Sequence, residues 1–237
     1  MGHAPFGGSR GLLPRVTRTG QPAAKTEPYW NWTVTLSRQK KRLNRNAAPR
    51  GSVRIIAGKW KRRRLKVVDA GGLRPTPDRV RETLFSWLEP RILHSRCLDL
   101  FAGTGALGFE AASRGASQVV MVERDPIAAS VLREECAAFG AKEVQVVQAD
   151  ALEWLNSGGT GFDIVFLDPP YGRFEPAELC LRVDRSGRLE PLGLVYLETG
   201  ADDPEATLPE GWRLLKSQRA GQVRYHLASR NLADSSS

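Results

Sequence analysis

Two short segments carry residues whose types and spacing suit chemistry on a nitrogen atom. They are Asp99-Leu-Phe-Ala-Gly-Thr-Gly-Ala-Leu-Gly108 and, some 60 residues further on, Asp168-Pro-Pro-Tyr171. Glycines at 103, 105 and 108 let a loop turn sharply and let a ligand approach the backbone closely. The spacing matches the dinucleotide fingerprint, and Glu123 lies 20 residues past Gly103, where a ribose-binding acid is expected. Nicotinamide cofactors and S-adenosylmethionine share that need. Asp99 tips the reading toward the second, because a carboxylate before the loop would face a methionyl ammonium but would repel a pyrophosphate. Glu123 would then take the ribose hydroxyls and Asp150 the adenine amino group, with Phe101, Thr104 and Ala151 completing the cofactor set. The competing reading is that the acids after the strands cap the following helices, which suits Asp125 and Asp150 in particular.

Asp168-Pro-Pro-Tyr171 follows the apolar run Ile164-Val-Phe-Leu167 and so belongs at the end of a buried strand. An exocyclic amine on a nucleobase is a poor nucleophile because its lone pair is delocalised into the ring. Two acceptors taking its N–H bonds help localise that pair toward an electrophilic methyl group. The Asp168 carboxylate and the Pro169 carbonyl are candidates for those acceptors, Pro169 and Pro170 stiffen the turn, and Tyr171 offers a face for a flat base. Stacking of that kind contributes roughly 1–3 kcal/mol per base, and the base must leave its own stack to enter. Asp168 either takes the released proton or only orients the amine. The plainer reading is a rigid strand-end turn with Tyr171 in the core.

These segments need a scaffold, and the chain supplies an alternating one. Strands are expected at Cys97–Phe101, Gln118–Glu123, Val144–Gln148 and Asp163–Leu167. Between them lie helices at Leu107–Arg114, Pro126–Phe139 (closed by Gly140) and around Glu153. Such alternation gives a parallel sheet covered on both faces, with Asp99, Glu123 and Asp150 after three consecutive strands at the ligand-binding carboxyl edge. Gly193–Glu198, Trp212–Ser217 and Gln222–Ala228 follow as strands, the last two forming an antiparallel hairpin at the sheet edge. Upstream, Thr76 and Pro77 read as N-cap and first-turn proline of an amphipathic helix carrying Val80, Leu84, Trp87 and Leu88 and ending near Pro90. Before that, residues 53–73 read as a basic β-hairpin ended by Ala70-Gly-Gly72. Residues 74–230 form the catalytic domain, and residues 231–237 a frayed tail.

Charge is distributed unevenly. Met1 to Lys66 holds 17 Lys/Arg and one acid, a net +16, whereas the whole chain carries +9, so the remainder is −7. A basic block this dense suits a polyphosphate partner, since each neutralised phosphate releases counterions; a solvated basic tail is the alternative. Residues 1–52 have no sustained periodicity and are expected to be disordered. Cys97, Cys136 and Cys180 have no disulfide or metal spacing, so no metal is expected. No apolar stretch reaches the ~20 residues that cross a bilayer. The expected location is cytoplasmic, with an Arg-rich organellar leader as the open alternative, and nothing in the sequence demands more than a monomer.

Taken with Val53-Arg-Ile-Ile-Ala-Gly-Lys-Trp-Lys61, Leu98-Asp-Leu-Phe-Ala-Gly-Thr-Gly105 and Asp168-Pro-Pro-Tyr171, the segment Arg74-Pro-Thr-Pro-Asp-Arg-Val-Arg-Glu-Thr-Leu-Phe-Ser-Trp-Leu88 resembles the bacterial 16S ribosomal RNA guanine-N2 methyltransferases. The resemblance spans residues 53 to 228, and the Arg-Pro-Thr segment discriminates most, because adenine-N6 methyltransferases share the other motifs. It implies a Rossmann-like α/β fold with a seven-stranded, mostly parallel sheet whose last strand is antiparallel. It also implies S-adenosylmethionine as methyl donor and one guanine of 16S rRNA, free or in the small-subunit particle, as acceptor. The basic hairpin would approach RNA, giving Lys59, Lys61, Arg62, Arg63, Arg64, Arg74 and Arg79 as RNA contacts. Arg74, Arg79 and Arg81 either bind phosphate or pair with Asp78 and Glu82 as a surface network. Residues 1–52 depart from the family pattern, as either an RNA-binding extension or sequence upstream of a start near Val53. Two other functions stay open: adenine-N6 methylation of DNA or RNA, and a non-catalytic rRNA-binding assembly factor.

Overall fold

The computed structural model describes residues 52–67, 76–170, 172–201 and 208–231. The expectations for residues 1–51, the turn at 70–72, Arg74, Tyr171 and the tail at 232–237 lie outside the described residues.

The chain opens with β1 (Ser52–Arg54) and β2 (Arg64–Lys66), joined through a 3-10 turn at Gly58–Trp60. They pair antiparallel with Val53 opposite Leu65, the basic hairpin expected from the alternating pattern. Next come α1 (Asp78–Ile92), β3 (Arg96–Asp99), α2 (Ala106–Ser113), β4 (Gln118–Glu123), α3 (Pro126–Phe139) and β5 (Val144–Gln148). They are followed by α4 (Ala151–Asn156), β6 (Phe162–Leu167), α5 (Pro176–Arg185), β7 (Leu189–Gly200), β8 (Trp212–Ala220) and β9 (Val223–Arg230).

Among the described residues one seven-stranded sheet has the order β5-β4-β3-β6-β7-β9-β8. β5, β4, β3, β6 and β7 are parallel, and β9 runs antiparallel to both β7 and β8. The antiparallel last strand is therefore inserted between β7 and the edge strand β8. Strand order reverses between β3 and β6, so ligand-binding loops gather at the carboxyl ends of β3, β4 and β6.

Two apolar cores flank the sheet. One packs Leu84, Phe85 and Phe109 against Val119, Phe166 and Tyr196, and takes in Val53, Ile55, Trp60 and Leu65 of the hairpin. The other packs Leu155, Leu179 and Val183 against Leu98, Val165 and Val195. The hairpin is thus part of the catalytic domain's core and not a free arm. Buried Glu110 in α2 fastens it, its carboxylate accepting from Ile56 N at 2.8 Å and Ala57 N at 3.0 Å. The same carboxylate pairs with Arg114 and with fully buried Arg81. Arg81 also bonds Asp78 and the carbonyls of Arg54 and Thr76, so it makes the expected pair with Asp78, but from a buried position that takes it out of phosphate binding.

Two local expectations need correction. Pro77, not Thr76, occupies the N-cap of α1, which ends at Ile92, near Pro90 as expected. A proline there removes one hydrogen bond where the helix is already ending. Helix α5 was not expected from the sequence, although Pro176 stands at its first turn and Leu179, Cys180 and Val183 form its buried face.

Candidate active site

β3 ends at Asp99, whose carboxylate is 2% exposed and accepts from Gly108 N at 3.0 Å. This bond ties the strand end to the first turn of α2 and closes the loop between them. Gly105 has φ +74, and a Cβ there would lie 2.6 Å from Leu132, so both backbone and packing require glycine. A Cβ on Gly108 would lie 2.6 Å from Met121 Sδ and 3.3 Å from Asp99 Oδ2, which is the close helix-to-strand approach that the third glycine allows.

Glu123, at the end of β4, organises the other side of the loop. Its Oε2 accepts from Gly103 N at 2.8 Å and its Oε1 from Asp125 N at 2.7 Å. Each carboxylate oxygen has a second lone pair, so these bonds leave room for a diol. Ala149 N donates to the Glu123 carbonyl at 3.1 Å, placing the end of β5 alongside. Asp150 then caps α4 through Oδ1, which accepts from Leu152 N and Glu153 N, and Asp125 caps α3 in the same way. The capping reading therefore holds for both, and Oδ2 of Asp150 takes no part in its cap. Ala151, the first residue of α4, is buried, while Phe101, Gly103 and Thr104 are half-buried, with Phe101 tilted against Phe174 at 5.6 Å.

Asp168 follows β6 at the same sheet edge and is half-buried, as is Pro169, with Pro170 exposed. Its Oδ2 accepts from the Thr76 hydroxyl at 3.2 Å, a contact that joins the segment before α1 to the end of β6. Burial pushes the Asp168 carboxyl up to about 6, and the Thr76 hydrogen bond opposes the shift. Asp99 is pushed up to about 7, chiefly by burial, with the negative charges of Asp168 and Glu123 adding to it and the Gly108 N–H opposing it. Those contributions mean that the Asp99, Glu123 and Asp168 carboxylates lie near one another at the carboxyl edge of the sheet.

One further carboxylate lies at this edge and has no motif to mark it in the sequence. Glu198, near the end of β7, is 9% exposed, and its Oε1 accepts from the Tyr196 hydroxyl at 2.6 Å. Burial and the neighbouring Asp168 push its carboxyl up to about 8, while hydrogen bonds from Tyr196 and Thr76 oppose that. Glu198 reads in sequence as one more position in a strand, and its only signal is a carboxylate in an otherwise apolar run.

Asp99, Glu123 and Asp150, at or just after the carboxyl ends of β3, β4 and β5, suit a ligand that brings a cation, a diol and an amino group, and oppose a pyrophosphate. Their chemistry fits S-adenosylmethionine, for which Asp99 would take the ammonium, Glu123 the ribose and Asp150 the adenine.

The basic positions divide into two groups. Lys59, Lys61, Arg62, Arg63, Arg64 and Arg79 are all exposed. Lys59 pairs with Glu143, Arg63 lies 3.7 Å over the Phe139 ring and bonds Ala138 O, and Arg64 bonds Ser52 Oγ at 2.6 Å. Among the described residues Lys61 and Arg62 make no ion pair, and they lie in the connection between β1 and β2.

Comparison with known proteins places the chain in a family. Residues 53–229 match the family model described as conserved hypothetical protein 95. The chain is 42% identical over 185 residues to Ribosomal RNA small subunit methyltransferase D of Escherichia coli (strain K12), covering 78% of this chain and 93% of that one. With the Haemophilus influenzae protein of the same name it shares 44% identity over 183 residues, 75% and 94% of the two chains. Among solved structures, the putative methyltransferase yhhF from Escherichia coli superposes with a TM-score of 0.71 at 42% identity, covering 76% of this chain and 99% of that one. The chain belongs to the conserved hypothetical protein 95 family, the family of ribosomal RNA small subunit methyltransferase D.

Proposed function

We propose that the protein transfers a methyl group from S-adenosylmethionine to the exocyclic N2 amine of a guanine in 16S rRNA. The observation that carries this reading is the Thr76 to Asp168 hydrogen bond. It joins the Arg-Pro-Thr segment, which distinguishes the guanine-N2 family, to the acceptor that an amine nucleophile needs. The relatives named for small-subunit rRNA methylation support the same polymer.

Bound S-adenosylmethionine supplies an electrophilic methyl group on a sulfonium. The protein's part is to hold the amine and deal with its proton. Thr76 uses its one proton on Asp168 Oδ2, so the remaining lone pairs of that carboxylate are acceptors for an amine N–H. The Pro169 carbonyl is the second acceptor. As N2 gains its fourth bond it becomes acidic and releases a proton. A carboxyl at about 6 is largely ionised at neutral pH yet basic enough to hold that proton briefly, so Asp168 suits both orientation and proton acceptance. Exposed Lys61 and Arg62 on the hairpin, together with Arg79, provide phosphate contacts, and Tyr171 provides the stacking face.

The test is incubation with methyl-labelled S-adenosylmethionine and, in parallel, unmodified small-subunit particles, free 16S rRNA and duplex DNA. Label in 16S rRNA, from either RNA source, is the expected result. Label confined to DNA would contradict the assignment of the polymer.

A further inference from the structure

The hairpin of β8 and β9 is basic in a part of the chain that is otherwise acidic. Residues 211–231 hold five Lys/Arg and no Asp or Glu, whereas the chain after Lys66 carries a net −7. β8 is the edge strand of the sheet, and its Arg213 and Lys216 are exposed. Three residues apart in a regular strand, they would point to opposite faces. The register shift between Leu214 and Lys216 cancels that: Arg213 pairs with Ser229 and Lys216 with Leu227, two positions apart on β9, so both stand on one face. It is the face that α1 covers further in, because Leu227 and its β7 partner Tyr196 belong to the same core as Leu84 and Phe85.

Beside that pair lies a cleft. Arg91 from the last turn of α1, Arg213 from β8 and Arg230 from β9 line an open cavity of about 470 Å³ over a floor of Leu192, Leu194 and Leu215. Leu192 is 60% exposed there. The Arg91 guanidinium donates to Leu192 O at 2.9 Å, and that of Arg213 to Ser229 Oγ at 3.3 Å, so both are held in place by neutral acceptors. Asp184 of α5 neutralises Arg230. Arg91, Arg213 and Lys216 make no ion pair among the described residues.

We propose that this face of β8 and the arginine cleft form a second contact surface for the RNA, in which Arg91, Arg213 and Lys216 take backbone phosphates of a segment flanking the target nucleotide. The inference rests on the rRNA methylation proposed above. Lys216 stands in the row of Tyr196, two residues before Glu198 at the active edge. Leu194, on the floor of the cleft, is four residues before Glu198 along β7, which at ~3.3 Å per residue is about 13 Å from that edge. The cations therefore form a track from near the active edge to the cleft, the layout an extended phosphodiester needs and a small free anion does not. Guanidinium forks suit phosphate oxygens, and the leucine floor offers an apolar surface to a sugar or base. A second copy of the chain is disfavoured by the same features, because pairing through the β8 edge would set one strand carrying Arg213 and Lys216 against an identical one.

The experiment measures binding of free 16S rRNA to the full chain as a function of salt, with steady-state methylation of free rRNA and of small-subunit particles, and thermal melts to verify folding. Arg91→Gln, Arg213→Gln and Lys216→Gln are combined in one triple variant. Its plot of log affinity against log salt is expected to flatten by about 2, at about 0.7 for each single-strand phosphate contact. KM for rRNA should rise about tenfold or more with kcat within about threefold. A swap of Arg213→Lys with Lys216→Arg keeps both charges and should keep the wild-type slope. A folded triple variant with the wild-type slope and KM, or a swap as impaired as the triple variant, overturns the inference alone. So does a defect present on particles and absent on free rRNA, which assigns the face to a ribosomal protein, or a wild-type dimer in sedimentation that the triple variant dissociates, which assigns it to a second copy. A wild-type protein that transfers no methyl group to rRNA overturns the proposed function and this inference with it.

Discussion

Thr76 and Asp168 are 92 residues apart in sequence and hydrogen-bonded at 3.2 Å in the fold. Thr76 is 7% exposed and lies outside α1, with Pro77 as the cap residue, so its hydroxyl is spent on the site and not on the helix. Thr76, the last residue of the Arg-Pro-Thr motif, is therefore part of the site's sheet edge.

The first consequence concerns Asp168 itself. Asp168→Ala removes the acceptor that orients the amine while leaving Asp99, Glu123 and Asp150 in place. Turnover should fall by about 100-fold or more, with S-adenosylmethionine affinity by calorimetry within about threefold of wild type. A variant that keeps full turnover would remove Asp168 from the chemistry.

Asp99 makes cofactor binding sensitive to pH. Its carboxyl sits at about 7 because burial disfavours the anion, so it is largely neutral below that pH and ionised above it. A ligand ammonium prefers the anion. Affinity for S-adenosylmethionine should therefore weaken by up to about tenfold for each unit that pH falls below 7, and Asp99→Asn should bind weakly with this dependence abolished. The ligand-free protein follows the opposite sign. The folded pKa exceeds the unfolded one, so stability from this group is present at low pH and lost as pH rises through about 7. Asp99→Asn should accordingly raise the ligand-free melting temperature at pH 8 by about 5 °C, a gain in stability that accompanies a loss of binding.

Gly108 tests how closely α2 approaches the sheet. An added Cβ would lie 2.6 Å from Met121 Sδ, and Met121 is fully buried. Gly108→Ala should destabilise the fold by about 1–3 kcal/mol in urea unfolding. It should also disturb the Asp99 to Gly108 bond, so cofactor affinity should drop with it.

On the RNA side, the hairpin cations are not equivalent. Lys59, Arg63 and Arg64 already have partners within the protein, whereas Lys61 and Arg62 make no ion pair among the described residues. Replacing Lys61 and Arg62 together with alanine should flatten the dependence of log affinity on log salt by about 1–2 for 16S rRNA. An unchanged slope would take these two residues out of the phosphate contacts.

Much of this site could be read along the chain because local rules place its parts. β4, α3 and β5 fall where hydrophobic period, Pro126 and Gly140 put them, and Asp99 and Glu123 are strand-end residues fixed by that pattern. Helix α5 carries comparable signals in Glu175-Pro176 and in the apolar stripe of Leu179, Cys180 and Val183. The Thr76 to Asp168 contact was not legible, since it joins two segments that only the closed sheet brings together. Glu110 hides in the same way. Its charge in the apolar run Ala106–Ser113 marks a buried partner, but only the docked hairpin shows that Ile56, Ala57 and Arg81 are what it binds.

The most direct measurement of the central claim is the identity of the methylated nucleoside. Purified protein, S-adenosylmethionine and unmodified small-subunit particles are incubated, the 16S rRNA is digested to nucleosides, and the products are separated by mass spectrometry. N2-methylguanosine at close to one per 16S molecule, lost in Asp168→Ala, is the predicted result. N6-methyladenosine in its place would contradict the proposed acceptor, with the same carboxylate acting on a different base.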